Sequence, residues 1–226
     1  MNYTNIRTGK FIARPNRFIA LVEIDGSVET CHVKNTGRCR ELLLPGATLF
    51  LQETDNPLRK TRYSVIGVKK GERIINMDSQ APNKAVSEWL QSGGLFRDIT
   101  YLKAEKTYGN SRFDFYLETM DKKIYMEVKG VTLEENGVVI FPDAPTERGV
   151  KHIRELCECT REGYEAYIVF VIQMKDVKYF KPNDVTDPEF GEALREAAKQ
   201  GVQILALDCE VSMDRMVIKD NVPVRL

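Results

Sequence analysis

Apolar and polar residues alternate along the first third of the chain, with short turns between the alternating runs. "RFIALVEIDG" and "SVETCHVKN" read as strands joined by a Gly-containing turn. "RELLLPGATLFLQ" passes through a Pro-Gly turn into another strand, and "RYSVIGVKKGERIINM" supplies two more around Lys70-Gly71. Residues 11–75 are therefore expected to be β-rich. Several short strands with tight turns predict a small closed barrel of the oligonucleotide-binding type.

The period changes after residue 80. "PNKAVSEWLQSG" places Val86, Trp89 and Leu90 on one helical stripe, opened by Pro82 and closed by Gly93-Gly94. Glu88 falls off that stripe. Strands are expected at "ITYLKAEKTY", "RFDFYLE" and "KIYMEVKG", then a hairpin turning at Asn136-Gly137. Residues 146–162 read as a helix between Pro145 and Gly163. "AYIVFVIQM" is almost wholly apolar, as a central strand covered on both faces would be. "DPEFGEALREAAKQG" gives a last helix and "VQILALDC" another buried strand. The order from residue 82 is helix, strands, helix, strand, helix, strand, which makes an α/β domain behind the barrel. The expected division is 1–78 and 79–226.

Composition narrows the class. The 226 residues are 42% hydrophobic and 29% charged, enough for a folded core. No apolar run approaches the ~20 residues of a membrane span, and "MNYTNIRTGKF" lacks a signal-peptide core. The chain thus reads as cytoplasmic, with no membrane partner. Five cysteines without zinc-site spacing read as reduced structural thiols. Net charge is zero but unevenly placed. Residues 1–78 carry 13 Lys+Arg against 8 Asp+Glu, and the remainder 20 against 25. A basic front half suits a polyanion, and an acidic back half suits a cation.

The candidate chemistry lies in "SRFDFYLETMDKKIYMEVKG". Strict alternation puts Phe113, Phe115 and Leu117 on one face of a strand, with Arg112, Asp114 and Tyr116 opposite. In the next strand Ile124, Met126 and Val128 oppose Tyr125, Glu127 and Lys129. Folded as an antiparallel hairpin, the two strands can gather Asp114, Glu127 and Lys129 on one face. Two buried carboxylates repel one another and lose hydration, and a divalent cation offsets both costs. Oxygen donors suit Mg2+ or Mn2+. A lysine beside them can orient a water or neutralise charge on a phosphate. An outward face carrying a cross-strand ion pair is the plainer reading of the same alternation.

"RFDF…MEVKG" resembles the D…E-x-K core of the PD-(D/E)XK nuclease superfamily, whose helix, three-strand meander, helix and strand match the order from residue 82. The resemblance implies a further acid from the first helix, where Glu88 stands. The whole chain resembles the sugar fermentation stimulation protein A family through "RPNRFIALVEIDG", "HVKNTGRCRELLLPG", "DNPLRKTRYSV", "APNKAVSEWL", "YGNSRFDFYL", "EVKGVTL", "FPDAPTERGVKHIREL" and "VPVRL". That family resemblance implies an oligonucleotide-binding barrel followed by a nuclease-like domain. It also implies DNA binding and a regulatory role in sugar metabolism, chiefly of maltose.

Basic residues supply the remaining candidates. Arg148, Lys151 and His152 share a face of the helix in "TERGVKHIREL", placed to grip a phosphate. His152 is also a candidate general acid or base. Arg14, Arg17, Arg38, Arg59, Lys60 and Arg62 fall near turns and strand ends of the barrel, and Arg112 flanks Asp114. "KNTGR" offers Asn35, Thr36 and backbone N–H groups to a phosphate. Two functions fit: a metal-dependent deoxyribonuclease, and a non-catalytic DNA-binding regulator of sugar metabolism.

Overall fold

The computed structural model describes residues 1–35 and 37–226, with Thr36 outside the described residues. The N-terminal strands are β1 (Ile6–Asn16), β2 (Ile19–Ile24), β3 (Ser27–Val33), β4 (Thr48–Glu53), β5 (Tyr63–Lys70) and β6 (Arg73–Asn76). They run in the order β3-β2-β1-β4-β5-β6, and a parallel β3–β5 pairing closes five of them into a barrel. Alternation explains the closure: Ala20, Val22 and Ile24 point inward to meet Leu49, Leu51, Val65 and Val68. The first strand starts earlier than the expected β-rich stretch. Its sequence hides it, because only Gly9 and Phe11 among "IRTGKFIARPN" are buried. A side chain at Gly9 would put Cβ 2.6 Å from Val22 Cγ1, so glycine permits the close β1–β2 approach there.

Behind the barrel come α1 (Ala81–Gln91), β7 (Tyr101–Tyr108), β8 (Ser111–Glu118), β9 (Lys123–Val131), β10 (Glu134–Glu135) and β11 (Val138–Phe141). Then follow α2 (Glu147–Arg161), β12 (Glu165–Ile172), β13 (Tyr179–Pro182), α3 (Pro188–Lys199), β14 (Gln203–Val211) and β15 (Met216–Asn221). The main sheet is ordered β15-β14-β12-β9-β8-β7. β9, β12 and β14 are parallel, and the outer strands are antiparallel. β12 is central and buried, as its apolar run predicts. The β10–β11 hairpin turns at Asn136 and Gly137, both at positive φ (53° and 86°). β13, which pairs with β11, and the edge strand β15 carry no strong alternation and were not expected.

The sheet packs on both faces. On one, Phe113, Tyr116, Tyr125, Ile168 and Phe170 meet Ile153 and Leu156 of α2 and Phe190 and Leu194 of α3. On the other, Phe115, Leu117, Met126, Val128 and Val169 meet Ala85, Val86 and Leu90 of α1. Phe50 and Ile66 from the barrel join this second core. Polar links fasten the barrel as well. Lys70 Nζ lies 2.8 Å from Glu134 Oε2, and Lys34 Nζ lies 2.8 Å from Asp78 Oδ2. Gln173 Nε2 donates to the backbone oxygens of Asn76 and Asp78 and to Asn76 Oδ1. All five cysteines are buried and unpaired with one another. No helix among the described residues is long and apolar enough to cross a membrane.

Candidate metal and nucleic-acid site

The two central carboxylates arise where regular pairing stops. β8 and β9 are registered from Glu118↔Lys123 to Phe115↔Met126, so Asp114 and Glu127 fall one step beyond the last pair. On the other side, the β7–β8 ladder passes from Ala104↔Phe115 to Lys106↔Phe113, and Glu105, opposite Asp114, has φ of 55°. This irregularity overturns strict alternation in β8. Phe115 and Leu117 face α1, whereas Phe113 faces α2 together with Tyr116. Asp114 sits at the reversal. Its Oδ2 accepts the Val128 N–H at 2.8 Å, replacing a ladder bond, and its Oδ1 accepts from Asn83 Nδ2 of α1 at 2.7 Å.

Glu127 is 3% exposed and faces α2. Its Oε1 accepts from Lys129 Nζ at 2.6 Å and meets His152 Nδ1 at 2.6 Å. Its Oε2 is buried and has no hydrogen-bond partner among the described residues. Asp114 therefore reaches the site beside α1, while Glu127 and Lys129 reach it beside α2. The expectation that one sheet face carries all three is corrected to two faces meeting at a break in the ladder.

The electrostatics separate the two acids. Burial, and then the Glu127 charge, push the Asp114 carboxyl up from 3.8 to about 6. Burial pushes Glu127 upward too, but the hydrogen bond from His152 and the Lys129 ammonium outweigh it and leave this carboxyl below its usual range. Glu127 thus holds its charge, and Asp114 carries the strain of the pair. A cation between them would relieve Asp114 and give Oε2 of Glu127 the partner it lacks. Among the described residues no group of three or more His, Cys, Asp or Glu side chains forms a ready cage. Two carboxylate oxygen donors suit a hard divalent cation.

The other sequence candidates divide sharply. Glu88 is 60% exposed in its side chain and pairs with the amino group of Met1 at 2.6 Å, on the β15 side of α1. Asn83 is the α1 side chain that meets Asp114. One helix cannot present both, since five residues turn it by about 140°. Arg14 is committed internally: its Nη atoms donate to the carbonyls of Arg17, Asn35, Gly37 and Arg38 at 2.6–2.8 Å. Asn35 Oδ1 is taken by the Gly37 N–H, and Thr36 lies outside the described residues. Arg62 pairs with Glu53, Arg112 lies 3.5 Å from Glu105, and Arg59 donates to Ser64 Oγ. Arg17 lies 4.7 Å over the ring of Phe18, which is 44% exposed. Arg38 and Lys60 are exposed. Lys151 donates to the Asn110 carbonyl, and Arg148 Nε meets His152 Nε2 at 3.4 Å.

Lys34 and Gly37 lie beside the approaches to α1 and α2, the helices that meet the two carboxylates. Ser79 Oγ, just before α1, donates to the Lys34 carbonyl. A Cβ at Gly37 would come 2.5 Å from Oδ2 of Asp143, just before α2. Asn83 and Gln173 escaped the sequence reading, since a lone amide on a helix or strand end carries no pattern. Clefts of about 680 Å³ at the β8–β9 turn and about 700 Å³ beside β10–β11 contain neither carboxylate. Charge and burial mark the site.

Comparison with known proteins covers the full chain. A model described as the SfsA N-terminal OB domain matches residues 12–77, and one described as the sugar fermentation stimulation protein RE domain matches residues 80–215. The chain is 63% identical to a sugar fermentation stimulation protein homolog of Clostridium beijerinckii, covering 100% of each. It is 64% identical to a homolog of Desulfitobacterium hafniense, covering 100% of this chain and 99% of that one. The structure of Pyrococcus furiosus SfsA in complex with Ca2+ matches with a TM-score of 0.91 at 31% identity, over 100% of this chain and 98% of the other.

Proposed function

The chain belongs to the sugar fermentation stimulation protein family, and on that premise we propose that it is a DNA-binding protein with a Mg2+- or Mn2+-dependent phosphodiester-hydrolysing centre. The observation that carries this reading is the buried, unpartnered Oε2 of Glu127 beside an Asp114 destabilised by its charge. A cation would answer both features at once. The crystallised Pyrococcus furiosus relative holds Ca2+, another cation that prefers oxygen ligands.

Asp114 and Glu127 would hold the cation, which when bound supplies polarisation of a phosphoryl oxygen and a more acidic water. Asn83 and the Val128 N–H fix the Asp114 carboxylate in place. Lys129, only 16% exposed in its side chain, keeps an ammonium beside Glu127. There it orients the attacking water and offsets negative charge growing on the phosphate. Arg148 and Lys151, exposed at the start of α2, grip the flanking phosphates. Arg17 with Phe18, Arg38 and Lys60 extend the track over the barrel. Arg14 supports that track from beneath by holding the loop carbonyls.

A second reading has one observation in its favour. Lys129 and His152 already neutralise Glu127, so a charge-balanced, non-catalytic core is self-consistent. The family would then act as a DNA-binding regulator of sugar metabolism. The experiment is digestion of labelled single- and double-stranded DNA with Mg2+, Mn2+ or Ca2+, alongside binding by gel shift. Cleavage by the unsubstituted protein that disappears in a folded Glu127→Ala variant supports the nuclease. Retained binding with no cleavage under any cation overturns it in favour of the regulator.

A further inference from the structure

We propose that His152 is a positioning residue that decides which oxygen of Glu127 is offered to the cation. The inference rests on the metal-site reading of Asp114 and Glu127 and adds a role within it. His152 is 3% exposed, on the inner face of α2, and its ring lies edge-on to Phe113 with centroids 5.9 Å apart. Packing therefore fixes the ring plane. Its Nδ1 is 2.6 Å from Oε1 of Glu127, the oxygen that also accepts from Lys129. Two donors converge on one oxygen and none reaches the other. Leaving a buried carboxylate oxygen bare is unfavourable, so rotation that shared the donors would ordinarily be favoured. The rigid imidazole and the short Lys129 contact hold the asymmetric arrangement against it.

The ring's other nitrogen defines the tautomer. A carboxylate only accepts, so Nδ1 carries the proton shared with Oε1. Nε2 is then the acceptor for the Arg148 Nε–H, 3.4 Å away. Arg148 thus donates to His152, and His152 donates to Glu127. Outer partners of this kind orient metal-binding carboxylates, and their loss typically costs 10–100-fold in metal affinity. The same chain makes the grip of Arg148 on a phosphate sensitive to the carboxylate that holds the cation. His152 itself would act through Glu127 and Arg148 without contacting the cation or the phosphate.

Two measurements test this on the full chain. Mn2+ titration followed by electron paramagnetic resonance should show saturable binding in the unsubstituted protein. His152→Ala should weaken it by about 10–100-fold. His152→Asn, whose amide N–H can take the place of Nδ1–H, should stay close to the unsubstituted protein. Nitrogen-15 NMR of the two histidines, His32 and His152, reads the tautomer without any substitution at position 152. A protonated Nδ1 with shifts that move on Mn2+-mimicking Mg2+ addition is expected. Equal Mn2+ affinity in His152→Ala overturns the proposal, as does a protonated Nε2 with bare Nδ1. Absence of saturable Mn2+ binding in the unsubstituted protein overturns the metal-site reading beneath it.

Discussion

Replacing Asp114 by asparagine should stabilise the protein at neutral pH while abolishing its response to divalent cations. A carboxyl moved from 3.8 to about 6 is ionised in the fold at a cost of about 3 kcal/mol, at roughly 1.4 kcal/mol per pH unit. The sign follows from linkage. The folded state holds this proton more tightly than the unfolded chain, so the penalty is absent below pH 3.8. It grows between 3.8 and about 6 and is complete above that. Asparagine never ionises and so escapes it. One of its two acceptor bonds is lost in return, costing about 1 kcal/mol. The net gain is about 1–2 kcal/mol at pH 7.5, and it should vanish or reverse near pH 3.5. For a chain of this size that is a rise in Tm of about 2–4 °C per kcal/mol. Urea unfolding at both pH values, with and without Mg2+, measures it. A cation at one hundred times its Kd should add about 2.7 kcal/mol to the unsubstituted protein and nothing to the variant. A variant whose advantage is the same at both pH values would refute the assignment of strain to the Asp114 charge.

Three further substitutions probe other parts of the arrangement. Lys129→Ala should lower DNA cleavage roughly 100-fold or more at saturating Mn2+, as loss of a charge-stabilising donor does. Arg14→Ala removes four bonds to loop carbonyls and should cost at least about 2 kcal/mol in urea unfolding. It should also open the chain at Asn35, Gly37 and Arg38 to limited proteolysis. Gly130→Ala would set a Cβ 2.5 Å from Gln173 Oε1 and 2.7 Å from Pro82 Cγ, so a loss of about 1–3 kcal/mol is expected. An unchanged Tm would show that the strand end yields more easily than its packing suggests.

Much of the architecture was legible because its signals are periodic. The β12 run, the helices capped by Thr146 and Asp187, and the hairpin at Asn136-Gly137 announce themselves within a few residues. Strand β1 did not, because its outward residues and an interior glycine erase the alternation. Glu127 and Lys129 were legible together, since a spacing of two in a strand puts them on one face, whereas His152 was read with Arg148 and Lys151 as a phosphate contact and its bond to Glu127 was not foreseen. Asp114 was legible as a residue but not as a geometry. Its place depends on Glu105 taking a left-handed conformation in the neighbouring strand, a long-range event with no local mark. Glu88 illustrates the converse: the correct helix was named, but rotation about its axis put Asn83 at the carboxylate. Counting arginines identified a basic barrel without showing that Arg14 and Arg62 are already engaged.

Gln173 ends the central strand and, through one amide, holds the segment leading from the barrel into α1. Asn76, Asp78 and Gln173 are each at most 2% exposed, so the junction is anchored by a buried polar cluster before the exposed Ser79 and Gln80 lead into α1. The backbone N–H of Asn76 also returns a bond to the Gln173 carbonyl. Two domains of the family meet here, yet the molecule should melt as one cooperative unit. Calorimetry should give a single endotherm whose van't Hoff and calorimetric enthalpies agree. Swinging the barrel away to admit a substrate would require breaking this buried amide cluster beside the strand end that carries Lys129. On the proposed function, nucleic acid would enter over a preformed surface instead of a hinged opening between barrel and sheet.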